Sequence, residues 1–258
     1  MLELRGLSKH FGGVKAVDEL DITVNEGEIF GLIGPNGSGK STTINLICGV
    51  YQETAGTVRF HEELMNGKPP HQRLRAGIAR TFQNIRLFPN LTVWQNLWVA
   101  QNSPQDIATQ GFLSRWFGAT RRTRKEIATL LELADLEHKS DELASNLAFG
   151  EQRRLEFARA AAARPKLLLL DEPAAGMNRQ EIQDLSRRIR RMRDSGVTIL
   201  LVEHVMELVM GVAEQIAVLN FGQKIASGTP GDVQRNKAVQ EAYLGTSDSD
   251  APSLDTGA

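Results

Sequence analysis

The densest chemistry in the chain lies in the run Gly34-Pro35-Asn36-Gly37-Ser38-Gly39-Lys40-Ser41-Thr42. It fits the pattern G-x-x-x-x-G-K-[ST] without mismatch. The glycines let successive backbone N–H groups curve around an anion with no Cβ in the way. A helix beginning at the end of the run adds the partial positive charge of its N-terminus. In that geometry Lys40 reaches the β- and γ-phosphates of a nucleotide, and the Ser41 hydroxyl ligates Mg²⁺. A second set of reactive groups closes the run Leu167-Leu168-Leu169-Leu170-Asp171-Glu172. A buried strand delivers such carboxylates to its C-terminal edge, where ligands of α/β folds sit. Asp171 is then placed to hold Mg²⁺ through water. Glu172, one residue on, orients and deprotonates an attacking water, a contribution of roughly 10²–10⁴-fold in rate. Four leucines and two acids say little alone. About 130 residues after a complete phosphate loop, they say a good deal.

The flanking residues supply the elements that must carry these groups. Glu28–Ile33 reads as a strand running into the phosphate loop, and Thr42–Cys48 as the helix that follows it. Leu2–Leu7 and Ile22–Val24 alternate as half-buried strands do, and Gly56–Phe60 and Ile78–Phe82 read as further strands. A short helix is expected at His71–Ala76, behind the Pro69-Pro70 break. From about Asn84 to Ala163 the pattern turns helical, with amphipathic runs at Thr92–Ala100 and Arg124–Ala134. Ser103–Thr120 between them is expected to be partly mobile. Strand and helix then alternate again: Leu167–Leu170, Arg179–Arg193, Val197–Val202, Val205–Val212, Ile216–Leu219 and Lys224–Ser227. This order predicts helices on a largely parallel sheet, interrupted by an inserted helical subdomain. The tail Thr246–Ala258 holds three Asp and no basic residue, and is expected to be disordered.

Composition narrows the partners. The formal net charge is −1, so no global positive field points to nucleic acid. Arg121–Lys125 and the arginines at 187, 188, 190, 191 and 193 have no interleaved aromatics and read as solvated helix faces. No run approaches the roughly 18 apolar residues that span a bilayer, and no secretory leader pattern is present. Any membrane process would therefore be served from the surface through a partner. The one cysteine, Cys48, sits among apolar residues and reads as packing.

Five features stand in the order found in the ATPase subunits of ABC transporters: the phosphate loop, Gln83 in Thr81-Phe82-Gln83-Asn84, the run Leu147–Gln152, Asp171-Glu172, and His204 in Val202-Glu203-His204. The resemblance covers about residues 1–245. It implies a P-loop NTPase ABC-ATPase fold of the α/β class, with an N-terminal antiparallel β subdomain and an inserted α-helical subdomain. The core would be residues 1–84 and 164–245 and the helical subdomain 85–163. It further implies that Phe11 stacks on adenine, that Gln83 senses Mg²⁺ and the γ-phosphate, and that His204 contacts the γ-phosphate. Leu147, Ala148, Phe149, Gly150 and Glu151 would cap the nucleotide of an opposite subunit in an ATP-sandwiched dimer. Segments 79–89, 150–156 and 171–178 resemble the ATPase of the Liv-type branched-chain amino acid importers. The length of the Ala100–Arg124 insertion and the ending Tyr243-Leu244-Gly245 agree with the larger ATPase subunit of that family. The implied partners are two transmembrane permease subunits, a second ATPase subunit and, indirectly, a periplasmic or surface substrate-binding protein. The implied location is the cytoplasmic face of the membrane.

The chain departs from the general pattern in places. The usual Leu-Ser-Gly-Gly-Gln reads Leu147-Ala148-Phe149-Gly150-Glu151, so Ala148 has no hydroxyl for a γ-phosphate and one charge-assisted hydrogen bond, worth about 1.5–3 kcal/mol, is absent. Asn178 stands at the D-loop position usually held by Asp, and Arg179 where Pro is frequent.

Several positions admit blander readings. Taken by itself, Phe11 before Gly12-Gly13 is a core aromatic or a base platform. His10, His61, His71 and His138 read as surface residues whose spacing suggests no metal site. Trp94 and Trp98 share a helix face and serve either a helical core or a groove for a transmembrane partner, with Arg86, Leu87 and Phe88 on its rim. Rival functions are a non-transport ABC ATPase of translation or DNA repair, a transporter ATPase for urea, amides or aromatic amino acids, and a nucleotide-binding regulator that hardly hydrolyses. A single phosphate loop without a heptad run opposes the first, and the retained Glu172 and His204 oppose the last.

Overall fold

The computed structural model describes residues 1–81, 86–101 and 121–244. Two sheets organise them. Strands β1 (Leu2–Phe11), β2 (Val14–Val24), β4 (Ala55–Phe60) and β5 (Glu63–Leu64) form an antiparallel sheet in the order β2-β1-β4-β5. Strands β3 (Ile29–Ile33), β6 (Ile78–Arg80), β7 (Leu167–Asp171), β8 (Thr198–Val202), β9 (Gln215–Asn220) and β10 (Gln223–Gly228) form the second, in the order β10-β9-β3-β8-β7-β6. Only β10 runs antiparallel there. Every residue of β3, β7 and β8 is buried, as expected for parallel strands covered on both faces. Their mostly apolar runs, broken at Asp171 and Thr198 alone, are legible in the sequence for that reason.

β1 and β2 are longer than alternation predicts. Register shifts between Leu4 and Leu7, and again toward His10, break the period of two, and Gly6 at φ +52° sits in the first of them. Bulges insert residues without a partner, so the apolar face drifts in the sequence while the ladder continues.

The helices are α1 (Lys40–Ile47), α2 (Pro70–Ala76), α3 (Val93–Gln101), α4 (Arg121–Ala134), α5 (Phe149–Ala162), α6 (Arg179–Asp194), α7 (Met206–Val212), α8 (Pro230–Arg235) and α9 (Lys237–Leu244). One core fills the space between the sheets under α1, and a second lies on the other face of the parallel sheet beneath α6 and α7. A third is separate: Val93, Leu97, Ile127, Leu131, Leu136, Leu147 and Leu155 join α3, α4 and α5. The helices α8 and α9 were not expected from sequence. Thr229 caps α8 in a reciprocal box with Asp232, but Pro230-Gly231 reads locally as a turn.

Two surface expectations are corrected. Arg188 is not on a solvated face: it is buried, and its guanidinium reaches the Leu133 carbonyl and Asp135. His10 is half-buried, 3.5 Å from Asp18. Trp94 and Trp98 stack on each other at 6.2 Å, half-buried against the third core. The Cys48 thiol packs against the first core, and burial pushes its pKa up to about 11, with Arg80 acting in the opposite direction. The expected disorder of Thr246–Ala258 and mobility of Ser103–Thr120 concern residues outside those described.

Candidate active site

Strand register brings the predicted chemistry to one edge. Leu32 of β3 pairs with Val202 of β8, and Val202 pairs with Asp171 of β7. The loops that leave these strands carry the phosphate loop, Glu172 and His204, and they emerge side by side.

In the phosphate loop Gly34, Gly37 and Gly39 take φ of +153°, +78° and +105°, a region L side chains rarely adopt. A Cβ on Gly34 would also strike the Leu219 carbonyl and the Ser38 hydroxyl, and one on Gly39 the Ala16 carbonyl. The cradle is therefore held tightly from outside. The Gly222 N–H donates to the Ser38 carbonyl at 3.0 Å, and the Asp18 N–H to the Gly222 carbonyl at 2.9 Å. Lys40 is buried, and its Nζ donates to the carbonyls of Gly34 at 2.6 Å and Pro35 at 2.9 Å. Burial lowers its pKa, while Glu172, Asp171 and Glu203 act to raise it. The Ser38 hydroxyl is buried with no hydrogen-bond partner among the described residues. Asn36, Ser41 and Thr42 line the same groove, together with Val14, Glu172 and Phe221.

Phe11 closes β1 and pairs across the hairpin with Val14. Its ring is 45% exposed. The Tyr51 ring meets it edge-on at 5.3 Å, and Lys9 Nζ, tied to the Gln52 carbonyl, lies 5.0 Å from its centroid. A half-exposed ring held by two neighbours is a platform that loses little freedom on stacking.

Asp171 is buried at the end of β7. Glu172 follows at φ +49°, and its N–H donates to the Val202 carbonyl at 2.8 Å. A non-glycine residue held there costs about 1–3 kcal/mol, and such strain collects at functional sites. His204 Nδ1 stands 3.8 Å from Glu172 Oε1, within reach of a shared ligand though too far for a hydrogen bond. The hard oxygen donors Ser41 and Asp171 suit Mg²⁺. The third proposed metal contact, Gln83, lies outside the described residues.

This arrangement matches a known family. The model of the ABC transporter family matches residues 17–175, and that of a branched-chain amino acid ATP-binding cassette transporter matches residues 223–249. The chain belongs to the ABC-transporter ATPases. It is 44% identical to the high-affinity branched-chain amino acid transport ATP-binding protein LivG of Salmonella typhimurium, over 95% of this chain and 98% of LivG. It is 43% identical to BraF of Pseudomonas aeruginosa, over 95% and 98%. The ADP conformation of an ABC-transporter ATP-binding cassette superimposes with a TM-score of 0.83 at 31% identity, covering 95% of this chain and 98% of that one.

The predicted ABC signature segment borders the third core through Leu147. Leu147 is buried. Ala148 is the N-cap of α5, and its N–H donates to the Glu151 carboxylate at 3.0 Å. This is half a capping box, because an alanine side chain cannot accept in return. Burial would raise the Glu151 pKa; its bond to Lys139 and the Ala148 N–H outweigh that and lower it. Phe149 stands 62% exposed beside Gly150. The segment does not line the phosphate groove of its own cassette. Asn178 caps α6 in a complete box: its Oδ1 accepts the Glu181 N–H at 3.0 Å, and Glu181 accepts the Asn178 N–H at 2.8 Å.

Sequence reading missed Glu203. Its carboxylate is wholly buried and accepts the N–H groups of Ala174 at 2.7 Å, His204 at 2.8 Å and Val205 at 2.9 Å. It therefore joins the loop after Glu172 to the loop bearing His204. The available signal was a charged residue continuing the apolar run Ile199–Val202.

Proposed function

We propose that this chain is the ATP-hydrolysing subunit of an importer for branched-chain amino acids. The observation that carries the cargo assignment is the match of residues 223–249 to the branched-chain family, supported by whole-length identity to LivG and BraF. The reading takes residues 1–245 as one nucleotide-binding domain, with 85–163 as its helical insertion. Among the described residues no helix is long and apolar enough to cross a membrane. The proposed partners are two permease subunits and a second ATPase subunit, at the cytoplasmic face, fed by a substrate-binding protein.

The placement of the described groups supports the following chemistry. Backbone N–H groups of the phosphate loop, the N-terminus of α1 and Lys40 hold the nucleotide phosphates. Phe11 receives the adenine. Glu172 takes a proton from the attacking water, and His204, 3.8 Å from that carboxylate, steadies the γ-phosphate. Mg²⁺, held by Ser41, Asp171 and Gln83, would neutralise charge on the phosphate oxygens. Leu147–Glu151 of a second cassette would complete each site, so that ATP favours the closed dimer and its hydrolysis releases it.

The direct test is uptake of labelled leucine, isoleucine and valine in cells lacking this chain, complemented by wild type or by Glu172→Gln. Uptake should return with wild type alone. Unchanged uptake without the chain, with a different solute lost instead, would leave the ATPase and move the cargo.

A further inference from the structure

We propose that Arg80 is a positioning residue for the metal-binding carboxylate of Asp171, locking it to the helix that carries Lys40 and Ser41. The proposal rests on the reading that Asp171 holds the metal of the bound nucleotide.

Arg80 ends β6, the strand at the edge of the parallel sheet beside β7. One arm of its guanidinium, Nη2, donates to Asp171 Oδ2 at 2.6 Å. The other, Nη1, donates to Asn45 Oδ1, also at 2.6 Å. Asn45 lies on α1, one turn beyond Ser41. A single planar fork thus spans from the acid at the end of β7 to the helix that begins with Lys40. The neighbouring residue adds a second hold. Thr81 Oγ1 accepts the Asp171 N–H at 3.4 Å, while the Thr81 N–H donates to the Leu169 carbonyl at 2.9 Å. The carboxylate and the backbone of Asp171 are therefore both gripped from the end of β6.

The consequence concerns direction more than charge. Asp171 is 5% exposed and Arg80 16%, so water screens the pair weakly. With Oδ2 accepting from Arg80, Oδ1 is the carboxylate oxygen left to ligate a metal on the proposed reading. Mg²⁺ demands near-ideal octahedral geometry, and a carboxylate that turns about its own bonds meets that demand less often than a fixed one. Partners that orient a metal ligand typically change metal affinity 10–100-fold when removed. The guanidinium also opposes a nearby cation by its charge, and the proposal holds that orientation outweighs this repulsion. Lysine cannot substitute fully, since a point charge cannot serve Asp171 and Asn45 at once along two fixed directions.

The test separates metal from nucleotide. Mn²⁺, a spectroscopically visible stand-in for Mg²⁺, is titrated by EPR into the full chain saturated with a non-hydrolysable ATP analogue. Binding of a fluorescent ATP analogue in EDTA is measured in parallel as a check on the folded groove. Arg80→Met should weaken Mn²⁺ binding about 10–100-fold and leave metal-free nucleotide binding unchanged; Arg80→Lys should fall between. Wild-type or tighter Mn²⁺ binding in Arg80→Met, with binding lost in Asp171→Asn, overturns the proposal. Should Arg80→Met lose metal-free binding as well, Arg80→Lys decides, and wild-type Mn²⁺ affinity there overturns it. Wild-type Mn²⁺ binding in Asp171→Asn overturns instead the reading of Asp171 on which it rests.

Discussion

The phosphate loop and the segment Leu147–Glu151 are both glycine-containing turns that open a helix, yet the chain finishes them very differently. The phosphate loop is held from behind: Gly34 and Gly39 sit against carbonyls that exclude a Cβ, and Lys40 is buried with two acceptors. The signature segment presents an exposed Phe149 and an alanine cap that returns no hydrogen bond. A cradle fixed in advance binds an anion without reorganisation, whereas a surface left open gains its contacts only from a partner. On the proposed reading, the phosphate-loop half of the ATP site is largely preformed in the isolated chain, and Leu147–Glu151 serves a second cassette.

The largest effect should come from uncoupling the two halves in time. Glu172→Gln keeps the shape of the side chain and removes the base, so turnover should fall about 10²–10⁴-fold. The nucleotide then persists between the halves, and an ATP-bound dimer should accumulate. Phosphate release and light scattering during size exclusion read the two consequences. A variant that stays monomeric at saturating ATP with wild-type turnover would remove Glu172 from the role of base.

Glu203 sets how firmly the preformed half is held. Glu203→Ala removes the acceptor of the buried Ala174 N–H, which costs roughly 1–3 kcal/mol when orphaned, and of the part-buried His204 and Val205 N–H groups, which water reaches more easily. Melting should drop by several degrees and kcat should fall, because the loops bearing Glu172 and His204 lose their common tie. Glu203→Gln retains one carbonyl oxygen and should recover part of both. Equal melting temperatures for wild type and Glu203→Ala would show that water replaces the carboxylate and that the tie is dispensable.

How much of this was legible depended on whether a group's partner was close in sequence. The phosphate loop and Asp171-Glu172 could be read because local pattern and strand burial dictate them. Glu203 and Arg80 could not, since their meaning lies in Ala174, Asn45 and Asp171, which only the parallel register brings near. Arg188 was misread for the same reason: its acceptors, Leu133 and Asp135, belong to another helix and its turn. The bulged strands β1 and β2 failed differently, because alternation is lost where the ladder skips a residue.

The signature half can be improved by one atom. Ala148→Ser places a hydroxyl at the N-cap of α5, where it completes the box with Glu151 and adds about 1 kcal/mol to the isolated chain. If the segment also meets the γ-phosphate of a second cassette, the same hydroxyl should tighten the ATP-dependent dimer of the Glu172→Gln background by about tenfold, as a charge-assisted hydrogen bond does. Melting without nucleotide reads the first effect and the dimer dissociation constant the second. A gain in melting temperature with no change in dimerisation would confine the position to capping.

The smallest effect tests a helix start that is already complete. α5 and α6 each have Glu at the third helical position, but only Asn178 returns the hydrogen bond that Ala148 cannot. Asn178→Ala should therefore cost about 1 kcal/mol, a fall of roughly 2–4 °C in Tm for a chain of this size. Asn178→Asp keeps an acceptor for the Glu181 N–H and places its charge favourably at the helix N-terminus, so stability should be retained. The pair separates two duties of one residue. If turnover follows stability, lost in Asn178→Ala and kept in Asn178→Asp, the residue acts as a cap. If Asn178→Asp is stable and turns over faster than wild type, the carboxylate common at this position in the wider family contributes across the dimer, and this chain has exchanged that contribution for a neutral cap.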